Sequence, residues 1–227
     1  NYPRGECLAD KAPETVLIIW KTLYPGTVAE GKHPHVVFCD NGGEFMDPFR
    51  QHVEDMGGVV RLSIPGRPNS HGFGERFHHT LEQGVRAVMA ASGAPLEMWS
   101  FAVRHWLFSY ARMKDRRSDG ASPFKREKGT EPLAKLVPFG CRCLYKEDST
   151  QVEKLEPPGR EGIILQNGPM NAYLVLDYGH FCAHHGAVRI VTTRDLRIHE
   201  SEFPWKKLAN QDSDYTKWTL RMLSADH

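Results

Sequence analysis

The chain holds no apolar run of the length a membrane-spanning helix needs, and no charged-then-apolar signal peptide opens it. It shows no internal repeat and no low-complexity block, which excludes solenoids and compositionally biased tails. It has little excess charge of either sign: the net value of +1 argues neither for nor against a polyanionic partner, so the distribution of charge matters more than its sum. Cysteine is sparse. Five, an odd number and unevenly spaced, suggest free thiols in a reducing compartment rather than a disulfide framework. What is present suffices for a core: 227 residues, 40% hydrophobic and 25% charged, enough for one large or two modest domains. The first residue is Asn1, and "NYPRGECLADK" does not read as a natural start, so a longer parent polypeptide is expected.

Residues 12–23 predict a helix, with Pro13 in its first turn and Val16, Ile19, Trp20 and Leu23 on one face. "HVVFC" (35–39) predicts a short buried strand, "PFRQHVEDMGG" (48–58) a short helix, and "VVRLSI" (59–64) the next strand. The breaker-rich "PGRPNSHGFG" (65–74) leads into a helix over 73–91 with Leu81, Val85, Val88 and Met89 as its stripe. Gly84 inside that helix should cost about 1 kcal/mol relative to Ala. A second long helix should bury Leu96, Trp99, Val103, Trp106, Leu107 and Tyr110. A basic stretch follows, with one short helix near 122–128. From Pro138 the helical period gives way to short strand-like runs, the pattern of a small antiparallel unit with Ile163, Leu165, Val188 and Ile190 facing its core.

The chemistry centres on "FCDNGGEF" (38–45), where Asp40 stands at the end of an apolar strand. Asp-Asn-Gly is good turn chemistry by itself. Glu75, at the mouth of the 73–91 helix, supplies a second acid, with a helix, a strand and a loop between the two. Close carboxylates repel unless a cation lies between them. Mg²⁺ accepts one or two carboxylates plus water and phosphate oxygens, which points to metal-dependent phosphoryl transfer. A two-carboxylate glycosidase would need an acid of raised pKa and an open sugar cleft, and no aromatic-lined platform suggests one.

"DNGGEF" (40–45), "PGRPNSHGFGER" (65–76) and "TL" (80–81) resemble the integrase catalytic core of copia-type retrotransposon Pol polyproteins. "PFGC" (138–141), "EKLEPPGREGIILQ", "AYLVLD" and "VTTRDLRI" resemble the SH3-like β domain that follows that core. The likeness runs from about residue 7 to about 203. It implies an α/β (α+β) architecture: a truncated ribonuclease H-like core with a mixed sheet over 1–113, a basic connector over 114–137, an SH3-like antiparallel domain over 138–203 and a tail over 204–227.

The resemblance also implies a triad of two aspartates and a glutamate that binds Mg²⁺ or Mn²⁺ and joins DNA ends to target DNA. Asp40 matches the second aspartate and Glu75 the glutamate, both as catalytic and metal-binding residues. The first aspartate has no match; Asp10 stands where the family has a polar residue. The chain is therefore expected to be inactive alone, with weak metal binding, the alternative being a non-catalytic nucleic-acid-binding relic. Asn41, Gly42, Asn69 and Gly72 are the loop residues near the site. Arg67, Arg76, Arg112, Lys114, Arg116, Arg117 and Lys125 are expected to meet DNA phosphates. The partners implied are retrotransposon ends, target DNA and further copies of the integrase core, in a nucleus or a cytoplasmic virus-like particle. "HFCAHH" (180–185), with His180, Cys182, His184 and His185, matches no usual zinc spacing and is expected to be a loop between strands.

Overall fold

A computed structural model describes residues 2–63, 72–114, 119–146 and 159–211. The chain packs as two compact units, one of Arg4–Thr80 and one of Leu81–His227 with the first three residues.

In the first unit, α1 (Pro13–Leu23) starts on Pro13, with Glu14 in its first turn and Lys21 in its last, matching the helix dipole at both ends. Two strands run parallel, β1 (Val36–Cys39) beside β2 (Val59–Leu62), in register from Val36↔Val59 to Cys39↔Leu62. The crossover between them carries α2 (Phe49–Asp55). Strand alternation sends Val37, Cys39 and Val60 inward against Phe49 and Val53, where Val16, Leu17 and Trp20 of α1 also pack. The same alternation leaves Phe38 62% and Val59 53% exposed. Trp20 Nε1–H donates to His33 Nε2 at 3.0 Å. That leaves the His33 proton on Nδ1, 3.0 Å from the Pro34 carbonyl oxygen that accepts it.

Helix α3 (Gly72–Ser92) continues into the second unit. Its Gly84 serves close packing: a Cβ there would stand 1.9 Å from Trp106 Nε1. Trp106 belongs to α4 (Trp99–Arg112), which also buries Ala102, His105, Leu107 and Ala111. Helix α5 (Pro123–Lys128) is capped by Ser122 Oγ, which accepts from Lys125 N–H at 3.1 Å, and stops at Gly129 in the left-handed region.

Five antiparallel strands follow: β3 (Arg142–Lys146), β4 (Gly159–Asn167), β5 (Tyr173–Asp177), β6 (Ile190–Thr193) and β7 (Leu196–His199). Their spatial order is β6-β5-β4-β3-β7. Helix α6 (Tyr178–Ala183) sits between β5 and β6, and α7 (Pro204–Gln211) closes the described chain. On one face Cys141, Cys143, Tyr145, Ile164 and Val175 form the core with Val137. Strand β4 also packs against α4, so Ile163, Ile164 and Leu165 are all fully buried.

The mixed α/β architecture with an antiparallel sheet after Pro138 is as expected, and so is the short helix near 122–128. Five details differ. Leu96 and Trp99 are exposed, because the buried stripe of α4 is phased through Met98, Ala102 and His105 instead. Ile190 is exposed while Val191 packs on the core, because a one-residue difference in register exchanges the faces of a strand, and Val188, also exposed, precedes β6. "HFCAHH" is mostly helix α6, not a loop. The packing boundary lies inside α3, at 80/81, rather than at 113, because Gly84 lets α4 seat on α3. The segment expected as a tail begins with α7, whose Trp205 is fully buried beside Phe139.

Candidate metal and nucleic-acid site

Asp40 directly follows β1, at the carboxyl edge of the parallel strand pair and exposed to solvent. In open parallel sheets that edge is where ligands bind, because the loops there converge without filling the space above the strands. The turn is held from three sides. Asp40 Oδ1 accepts from Gly42 N–H at 3.1 Å, an Asx turn that leaves Oδ2 for a cation. Asn41 Nδ2 donates to the Ser63 carbonyl at 3.4 Å and so ties the end of β1 to the end of β2. Gly42 sits between two carboxylates: a Cβ on it would lie 2.6 Å from Glu44 Oε2, the movable end of that side chain, and 3.0 Å from Asp40 Oδ1. Glu44 thus brings its carboxylate to the same side of Gly42 as Asp40, a proximity that the doubled glycine hinted at and helical or strand periodicity could not show.

Cys39, one residue before, is no ligand. Burial, and then the neighbouring Asp40 charge, push its thiol up to about 11, so it stays protonated. All five cysteines are free thiols.

Glu75 lies in the first turn of α3 and is exposed. It belongs to the same packing unit as Asp40. Arg76 folds back along that turn, its Nη1 lying 3.2 Å from where a Cβ on Gly72 would stand. Arg67 and Asn69 fall in 64–71, and Arg116 and Arg117 in 115–118, all outside the described residues. Among the described residues no three His, Cys, Asp or Glu side chains gather as a metal cage. Asp40 and Glu75 each offer carboxylate oxygen, the donor type that hard ions such as Mg²⁺ or Mn²⁺ take.

The basic residues divide into two kinds. Lys114 is exposed at the end of α4. Arg112 is half-buried: its guanidinium carbon lies 3.4 Å from the Phe108 ring centre and 4.7 Å from that of Phe124. Its Nη1 donates to the Phe108 carbonyl at 3.0 Å, and desolvation lowers its pKa. Arg112 therefore joins α4 to α5. Lys125 donates to Glu131 Oε1 at 2.6 Å, a bond that raises the lysine pKa, and Arg126 pairs with Asp119 at 2.6 Å. Spacing along the sequence could not show that these cations have internal partners.

Fold and site together define a mixed α/β unit with an acid at the carboxyl edge of a parallel strand pair, followed by an antiparallel β unit. The curated proteins it matches are more particular. It is 28% identical over 171 residues to the retrovirus-related Pol polyprotein from transposon RE2 of Arabidopsis thaliana, a match covering 74% of this chain and 11% of that protein. It is 24% identical over 165 residues to the corresponding polyprotein from transposon TNT 1-94 of Nicotiana tabacum, covering 72% and 12%. The chain is a relative of copia-type retrotransposon Pol polyproteins, and it spans about a tenth of the length of these two. No family model matches it. Among solved structures it resembles a chain of the simian T-cell lymphotropic virus intasome in complex with the PP2A regulatory subunit B56 gamma. That likeness has 14% identity, covers 86% of this chain and 66% of that one, and has a TM-score of 0.41. No helix among the described residues is long and apolar enough to cross a membrane.

Proposed function

We propose that the chain is the integrase segment of a copia-type Pol polyprotein, whose parent performs metal-dependent DNA strand transfer. The observation that carries this reading is Asp40 in "DNGGEF" at the carboxyl edge of a parallel strand pair, its turn pinned by Asn41 to the neighbouring strand. Glu75, in the first turn of the helix that follows, is the second acid. Mg²⁺ or Mn²⁺, when bound, would supply charge neutralisation for an in-line displacement at phosphorus. Asp40 and Glu75 would hold the ion, while Asn41 and Gly42 keep the Asp40 turn in place. Arg76 and Lys114 offer exposed cations to DNA phosphates, and Arg67, Arg116 and Arg117 add to them by resemblance. Substituting Arg112 or Lys125 would act partly through the contacts each makes inside the fold.

Residues 1–227 supply two of the three acids the resemblance implies, so they do not join DNA ends by themselves. A second reading, nucleic-acid binding without catalysis, is favoured by the lack of a three-ligand cluster among the described residues. Joining of a labelled DNA end to a target duplex in Mn²⁺ separates the two. A longer Pol segment carrying a third acid should join, and its Glu75→Gln form should not. Failure of the longer segment to join would favour the binding-only reading. Asp40-dependent joining by residues 1–227 alone would overturn the assignment of an incomplete site.

A further inference from the structure

The helical form of residues 178–183 brings together two side chains that a loop would have scattered. His180 and His184 stand one helical turn apart, with His184 N–H donating to the His180 carbonyl at 3.0 Å. Their rings lie on one side of α6, with centroids 4.1 Å apart and planes inclined by 34°. His180 is partly exposed and His184 exposed, so both imidazoles reach solvent. The backbone beneath them is fixed. Asp177, 2% exposed, caps α6 by accepting from His180 N–H at 3.0 Å, and its other oxygen lies 3.4 Å from Arg189 Nη1. Phe181, the next residue, is 1% exposed and anchors the helix to the core. Cys182 is turned to Tyr178, with which it shares a hydrogen bond; burial first, and then that bond, raise the tyrosine pKa, and the thiol is not aimed at the histidine pair.

From this geometry we infer that His180 and His184 form a two-imidazole site for one borderline transition-metal ion. Two histidines at i and i+4 on one helix can direct one nitrogen each at a common point; metalloprotease helices use this arrangement for zinc. Neutral imidazole prefers Cu²⁺, Ni²⁺ and Zn²⁺ to Mg²⁺ or Ca²⁺, and among divalent ions Cu²⁺ binds tightest. With no third protein ligand gathered there among the described residues, water completes the coordination. The site therefore takes Cu²⁺ before Zn²⁺ and is indifferent to Mg²⁺, the reverse of what the oxygen donors of Asp40 and Glu75 select.

Titration of the purified chain with Cu²⁺ alone, followed by calorimetry and by copper electron paramagnetic resonance, tests the pair. Twelve histidines give a background, so the reading is a double-mutant cycle. His180→Ala and His184→Ala should each weaken the tightest Cu²⁺ site at least tenfold. The double variant should lose no more than either single one, because a chelate is broken by removing one arm. Two-nitrogen hyperfine structure should vanish in all three, and excess Mg²⁺ should leave it intact. His185→Ala should bind as the unaltered chain does, and circular dichroism should show that every variant is folded. Independent, additive losses from the two substitutions, or an unchanged tight site in either single variant, would overturn the site.

Discussion

The two units put their apolar surface to different use. In Arg4–Thr80 two parallel strands bury one face and leave Phe38 and Val59 on the other largely open to water. In the second unit five strands carry a core in which Cys141, Cys143, Ile163, Ile164, Leu165, Val175 and Leu176 have no exposure at all. Parallel strands are ordinarily covered on both faces, so a two-stranded parallel pair with an apolar open face is thinly supported. The candidate acids stand on this thin unit, both exposed, Asp40 in a turn and Glu75 at the start of a helix. The difference teaches that the stability of this chain and its candidate chemistry reside in different places, and that each can be perturbed without the other.

The largest test of that division is Ile164→Ala. Removing a fully buried β4 side chain should cost about 2–5 kcal/mol in urea denaturation, without altering metal binding at Asp40. A cost below about 1 kcal/mol would mean that the β unit is not the stable part.

A pH effect of similar size should arise on α4. Burial, partly offset by a hydrogen bond to the Val137 backbone, holds the His105 pKa down to about 4. The unfolded chain, with an ordinary histidine near about 6.5, takes up its proton first. Stability from this group is therefore fully present above about pH 6.5 and is lost as pH falls toward 4, by roughly 3 kcal/mol. His105→Gln should flatten the acid limb of a stability-versus-pH curve between those values, while an unchanged limb would remove His105 from the account.

Gly84→Ala should come next. The added methyl would collide with the Trp106 indole, and overpacking of this kind costs about 1–3 kcal/mol. Helix propensity alone predicts the opposite sign, a gain of about 1 kcal/mol, so the melting temperature of this single variant decides between packing and propensity.

The smallest effect belongs to the open face of the parallel pair. Phe38→Thr puts a β-branched residue of good strand propensity on an exposed strand position and should shift stability by no more than about 0.5 kcal/mol. A loss of several kcal/mol would show that this face is covered in solution and would break the contrast between the units.

Much of this arrangement was legible in the chain before its structure. Pro13, the breaker cluster before α3 and the alternation of the late strands marked the elements, because each is a local signal. What escaped depends on phase or on partners. The α4 stripe runs through Met98 and Ala102 rather than Leu96 and Trp99, since small residues let helices approach and large ones then remain outside. Ile190 faces outward because its strand is shifted by one, and Val188 lies before that strand begins. Helix α6 has six residues, too few for a period to declare itself, and what defines it is the capping by buried Asp177. Asp40 was recognisable from the strand-to-turn junction, and Glu75 from the helix start. Treating them as one site rested on the family resemblance, because the 64–71 segment between β2 and α3 contains no signal for where it leads.

Mn²⁺ binding, followed by electron paramagnetic resonance on the chain and on its Asp40→Asn, Glu75→Gln and doubly substituted forms, tests the shared acid site most directly. The account predicts that Mn²⁺ binds weakly at one site and that either substitution removes it. The double substitution should add nothing further, because the two carboxylates act on one ion. Mn²⁺ binding that survives Glu75→Gln while depending on Asp40, or that falls additively with the two changes, would show that the two acids do not share a metal and would contradict the proposed integrase site.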